Sequence, residues 1–80
     1  MNKNEIKNKV FNIFSVFLNT SELELNIDTS PENNSEWDSL NHIKIIMELE
    51  NTFNVEITPE DALEINSIKE ACIILENKMN

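Results

Sequence analysis

Apolar residues along this chain recur at helical rather than alternating intervals. Ile6, Val10, Ile13, Phe14 and Phe17 share one face, which predicts an amphipathic helix over about residues 3–18. Asn19 follows as its expected terminator, since Asn tolerates the left-handed conformation that glycine usually supplies. A polar stretch, 19–38, then forms a long connection whose Leu23, Leu25 and Ile27 are expected to act as buried anchors. Asp38 stands where an N-cap belongs, and helical spacing resumes over about 39–53, with Asn54 as the stop. Thr58-Pro59-Glu60-Asp61 predicts a short helix over about 59–65: Thr as cap, Pro at the first position, acids in the first turn. Ser67-Ile68-Lys69-Glu70 has the form of a capping box and opens a last helix, about 67–78, along Ile68, Ala71, Cys72, Leu75 and Met79. The pattern therefore predicts an all-α four-helix bundle in a single domain over 1–80, with no repeats and no interior boundary.

The second helix carries two apolar faces. With Leu40 at zero on a helical wheel, Ile45, Leu49, Phe53 and Ile46 fall between about 140° and 240°, while Leu40, Ile43 and Met47 fall between about 300° and 0°. One face must pack on the other helices. The second is either covered by a bundle that wraps further around this helix, or it is a docking surface rimmed by Lys44, Glu48 and Glu50. On this wheel Phe53 is core, and its truncation to Ala is expected to destabilise the domain by about 3–5 kcal/mol. Met47→Glu is expected to leave the fold intact.

Composition narrows the functional classes. The chain has 80 residues, 15 acidic and 6 basic side chains, a formal net charge of −9, no glycine, two prolines and one cysteine. At 40% apolar residues it can build a small core but not a large enzyme with a deep pocket. The negative charge argues against nucleic acid and against anionic lipid, and favours basic protein surfaces. Cys72 has no partner for a disulfide and no metal-type spacing, so it reads as a small apolar helix residue. Met1-Asn2-Lys3-Asn4-Glu5-Ile6 has no apolar run after its charges, and no stretch nears the roughly 20 apolar residues of a membrane span, so a cytoplasmic protein is expected. In that setting Asn19-Thr20-Ser21 and Asn33-Asn34-Ser35 are chance matches to the glycosylation pattern. His42 lies on the core-facing side near Ile46, as a structural histidine. Ser39, His42 and Asp38 sit on one helix turn, which does not hold triad geometry, so self-contained catalysis is rejected and no metal site is expected.

Glu36-Trp37-Asp38-Ser39-Leu40 closes the long loop and opens the two-faced helix. Asp-Ser-Leu alone is a weak pattern, but here it stands at a helix N-terminus, after a long loop, in a small acidic helical chain. The sequence resembles the acyl carrier proteins, which carry 4′-phosphopantetheine on the serine of that motif. The resemblance extends through Glu48-Leu49-Glu50-x-x-Phe53, Val55-x-Ile57-Thr58-Pro59 and the helix opened at Ser67.

The resemblance implies that Ser39 accepts the arm from coenzyme A, that Asp38 caps the helix and approaches the metal of a phosphopantetheinyl transferase, and that Leu40 begins the apolar face beside the attachment point. It implies a thioester-bound acyl or aminoacyl cargo, delivered among loading enzymes and downstream acyl-transferring or condensing enzymes, and a core cavity able to shield a short chain. Leu40, Ile43, Met47, Glu48 and Glu50, with Glu60 and Asp61 of the short helix, are the expected partner contacts of a monomer. Ser35-Glu36-Trp37 stands where fatty-acid carriers have a Gly, and Asn41 and Lys44 replace acids, which points toward free-standing carriers of polyketide, aminoacyl or polysaccharide pathways. The alternative is an unmodified helical interaction module docking through Leu40, Ile43 and Met47. Cargo and pathway are not written in these residues.

Overall fold

A computed structural model describes residues 1–79. It has four helices: α1 (Lys3–Phe17), α2 (Ser39–Phe53), α3 (Pro59–Glu64) and α4 (Ile68–Met79). A single 3₁₀ turn, Glu22–Glu24, interrupts the long connection, and no strand occurs among the described residues. These bounds differ from the expected ones by at most one residue at each end, where capping geometry rather than apolar spacing decides.

Each helix starts on side-chain chemistry. Asn2 and Glu5 form a reciprocal capping box on α1, a signal present in the sequence but not read from it. Asp38 accepts from the Asn41 N–H at 2.8 Å, and Thr58 from that of Asp61 at 3.1 Å. At Ser67 the box is altered. Its hydroxyl accepts from the Glu70 N–H at 3.4 Å, but it donates to the Glu70 carboxylate at 2.7 Å instead of leaving that acid to the backbone.

Helix ends rest on asparagine. Among the described residues Asn19 and Asn54 are the two with positive φ, both at 54°. Around Asn19 the Thr20 N–H bonds the Ser15 carbonyl and the Asn19 N–H that of Val16, the paired bonds of a Schellman ending. Around Asn54 the Val55 N–H returns to the Glu50 carbonyl. A β-branched side chain cannot hold this conformation cheaply. Asn54→Val is therefore expected to lower stability by about 1–2 kcal/mol in urea titration, and Asn54→Gly to leave it equal or higher.

α1 packs against both α2 and α4. The core centres on Val10, Phe14, Ile45, Leu49, Ile68 and Leu75, each fully buried. Burial alternates on α2 as the wheel requires. Ile45, Leu49 and Phe53 are buried, Ile46 is half-buried, and Leu40, Ile43 and Met47 are 61%, 58% and 63% exposed. The bundle therefore does not wrap around the second face.

The long loop departs from expectation. Only Leu25 of the three anchors is buried; Leu23 is 97% exposed and Ile27 is 42% exposed. Polar bonds do most of the pinning. Buried Thr29 accepts the Asn26 N–H on its hydroxyl, and its carbonyl accepts the Ile68 N–H, while the Ile27 carbonyl accepts the Lys69 N–H. The loop thus satisfies two of the free N–H groups that open α4. Side-chain turns at Asn26, Asn33 and Asn34 fold the rest. Such bonds leave no apolar periodicity, so the pattern pointed to Leu23 and Ile27 instead. Cys72 is buried on α4, and desolvation is the main force pushing its thiol up to about 11, with Glu76 adding to it, so it is a poor nucleophile at neutral pH.

Candidate functional site

The end of the loop is drawn onto the start of α2 by Asn41. Its backbone N–H bonds the Asp38 carboxylate, and its side-chain amide donates to the Glu36 carbonyl at 2.7 Å. This staple sets Asp38 at the N-cap and Ser39 at the first helical position, both exposed. The residue that departs from the acidic pattern thus has a local structural task. The first N–H groups of α2 have no acceptor inside the helix and, with the aligned peptide dipoles, present partial positive charge beside Ser39.

An open cleft of about 520 Å³ lies next to Ser39. Ile43, Ala62, Leu63 and Ile65 supply much of its apolar wall, while Asp38 and Asn66 add polar groups. Beneath it Trp37, in a run otherwise polar, is 3% exposed and meets Phe14 edge-on, ring centroids 4.9 Å apart at 64°. Leu63, on α3, is 79% exposed. Trp37 belongs to the sequence motif but not to the core that apolar spacing predicts, and Leu63 belongs to neither. A lone aromatic in a polar loop and an apolar residue turned off the Ala62–Ile65 face were the available signals.

The apolar strip Leu40–Ile43–Met47 runs from Ser39 along the outer side of α2. The acids expected beside it are placed less simply. Glu48 faces a separate groove against α1, lined also by Lys9 and Asn12, and its carboxylate accepts the Thr52 hydroxyl at 2.9 Å. Glu50 accepts the Ile57 N–H at 2.9 Å, fixing the turn after α2. Asp61 pairs with Lys78 at 2.8 Å, and that hydrogen bond is the main cause of its lowered pKa. Whatever stability this partly exposed pair contributes is present above the ordinary carboxylate range and is lost as pH falls through the lowered value. Three of the four carboxylates expected as contacts therefore already serve the fold, because a hydroxyl, a backbone N–H and a lysine lie within their reach. Glu60 is exposed. Among the described residues no group of His, Cys, Asp and Glu could hold a metal ion, and no helix is long and apolar enough to cross a membrane.

Residues 8–75 match the family model described as a phosphopantetheine attachment site. Acyl carrier proteins of Cyanidium caldarium and Rubrobacter xylanophilus are 33% and 37% identical to this chain, covering 98% and 89% of it and 91% and 88% of their own lengths. The chain belongs to the acyl carrier protein family. A solved acyl carrier protein from Enterococcus faecalis shares the fold, with a TM-score of 0.80, 24% identity, and coverage of 98% of this chain and 99% of that one.

As an acyl carrier protein it bears 4′-phosphopantetheine covalently and works with phosphopantetheinyl transferases and acyl-processing enzymes; family members carry intermediates rather than catalyse. The arm supplies the thiol on which cargo is held as a thioester. The residues at the start of α2 fit such a group: an exposed hydroxyl, unpaired helix N–H groups suited to a phosphodiester, and an adjoining cleft with an apolar wall. Phe14, Ile45, Leu49 and Leu75 at the centre of the bundle are fully buried, and the cleft beside Ser39 opens at the surface.

Proposed function

We propose that Ser39 is the attachment point and that this single carrier domain acts as a monomer in the cytoplasm, moving an acyl or aminoacyl group between a loading enzyme and acyl-transferring or condensing enzymes. The observation that carries the reading is the exposure of Ser39 at the first position of α2, between the cleft and the apolar strip. Asp38 holds the helix start through Asn41 and keeps a carboxylate at the surface for the metal of the transferase. Nothing in the chain acts as a catalyst of its own; the arm is the reactive part. Incubation of the apo protein with coenzyme A, Mg²⁺ and a permissive transferase tests this, and intact mass should rise by one phosphopantetheine.

Leu40, Ile43 and Met47 form the docking strip in this reading, with Leu63 continuing it onto α3 and Glu60 at its rim. Glu48, Glu50 and Asp61 contribute to the negative field more than to contact, since their carboxylates are engaged inside the fold. Lys44 is the local break in that field. Met47→Glu should lower kcat/KM for transfer from a loading enzyme about tenfold or more, by placing an unpaired charge in an apolar contact. Its circular dichroism should match wild type. An unmodified interaction module, docking through the same strip, is not favoured by the family match.

A further inference from the structure

The chain carries three methionines and one cysteine, and the fold treats their sulfurs differently. Cys72 is buried and its thiol stays protonated, the form that oxidants attack slowly. Met79 is half-buried against the core. Met1 is exposed but precedes α1, outside the α2 strip. Met47 is exposed within that strip, beside Leu40 and Ile43. It follows Ser39 by eight residues, which sets it ~12 Å further along the helix axis and about 80° around it. A specific interface covers roughly 800 Å² on each partner, a patch wider than that separation. An enzyme that reaches Ser39 and spreads along α2 therefore covers the Met47 thioether.

We propose that Met47 is an oxidation site: peroxide converts its thioether to the sulfoxide, and the oxidised carrier stays folded but loses its hold on enzymes that dock along α2. This rests on the reading of Ser39 as the attachment point and of Leu40, Ile43 and Met47 as the docking strip. In the step a sulfur lone pair attacks one oxygen of hydrogen peroxide. The S–O bond forms, the O–O bond breaks, and the second oxygen leaves as water with both protons. Sulfur is oxidised by two electrons and the peroxide is reduced by two. Leu40 and Ile43 cannot undergo this step, so Met47 is the one member of the strip that peroxide alters. In the free carrier water solvates the new S–O dipole, and the fold is indifferent to it. Docking strips that water away without supplying a bond in its place, so affinity falls.

Apo protein is exposed to hydrogen peroxide for graded times, and each methionine is followed by peptide mass. Met47 should gain one oxygen about threefold or more faster than Met79, with Cys72 still a free thiol. The same samples are then offered coenzyme A, Mg²⁺ and a permissive transferase. Untreated wild type should gain one phosphopantetheine; failure at this point removes the attachment reading, and the proposal with it. As Met47 is converted, kcat/KM for that gain should fall about tenfold with circular dichroism unchanged. Treatment with the two epimer-specific methionine sulfoxide reductases and a dithiol should restore it. Met47→Leu keeps Met1 and Met79, and its own kcat/KM should be the same before and after peroxide. Met47→Gln, polar without any oxidant, should be slow from the start. Oxidation of Met79 ahead of Met47, full kcat/KM in protein oxidised at Met47, or a peroxide-sensitive Met47→Leu each overturns the proposal.

Discussion

Ser39→Ala is expected to abolish the gain in mass when apo protein is incubated with coenzyme A, Mg²⁺ and a permissive transferase, while wild type converts fully. The other serines do not offer an equivalent hydroxyl. Ser15 donates to the Asn12 carbonyl, Ser21 accepts from the Leu23 N–H, and Ser67 is bonded to Glu70. Ser30 and Ser35 lie in the loop, away from any α-helix start. Only Ser39 joins exposure, the first position of a long helix and an adjacent cleft. The substitution touches no core contact and leaves the Asp38 cap in place, so stability should move by no more than about 0.5 kcal/mol. Modification that persists in the alanine variant would remove Ser39 as the attachment point.

Phe53→Ala is expected to give the largest loss of stability among the substitutions considered, about 3–5 kcal/mol, read as a lower urea midpoint with unchanged slope. Phe53 is 4% exposed at the end of α2, within the cluster that joins this helix to the other helices. A domain of this size has about 4–12 kcal/mol in total, so the variant loses a large share of its folded population. Met47→Ala, on the opposite side of the same helix and 63% exposed, should change stability by less than about 0.5 kcal/mol. A comparable loss for Met47→Ala would mean that the outer strip is packing rather than docking surface.

Local signals account for how much was legible. The helix starts at Asp38 and Thr58 and the stops at Asn19 and Asn54 depend on the residues within a turn of each, and all four stand where the sequence places them. Ser39 at the head of a two-faced helix was visible for the same reason: helical periodicity alone assigns Ile45, Leu49 and Phe53 to one side and Leu40, Ile43 and Met47 to the other. The loop was less legible. Thr29, Asn26 and Asn33 hold it through bonds that have no period, and carbonyls of residues 27 and 29 meet N–H groups about forty positions later.

The sequence by itself determined the helices, their ends, the family and the serine that heads α2, because capping, periodicity and a short motif are properties of neighbouring residues. Tertiary structure decided the rest. Chain crossing, not composition, joins Trp37, His42 and Ala62 beside the cleft. The same packing pairs Asp61 with Lys78 and turns Glu50 toward Ile57. Charges counted as one acidic field in the sequence are thereby divided between the fold and the surface, since a carboxylate bonds whatever donor the packing brings within reach.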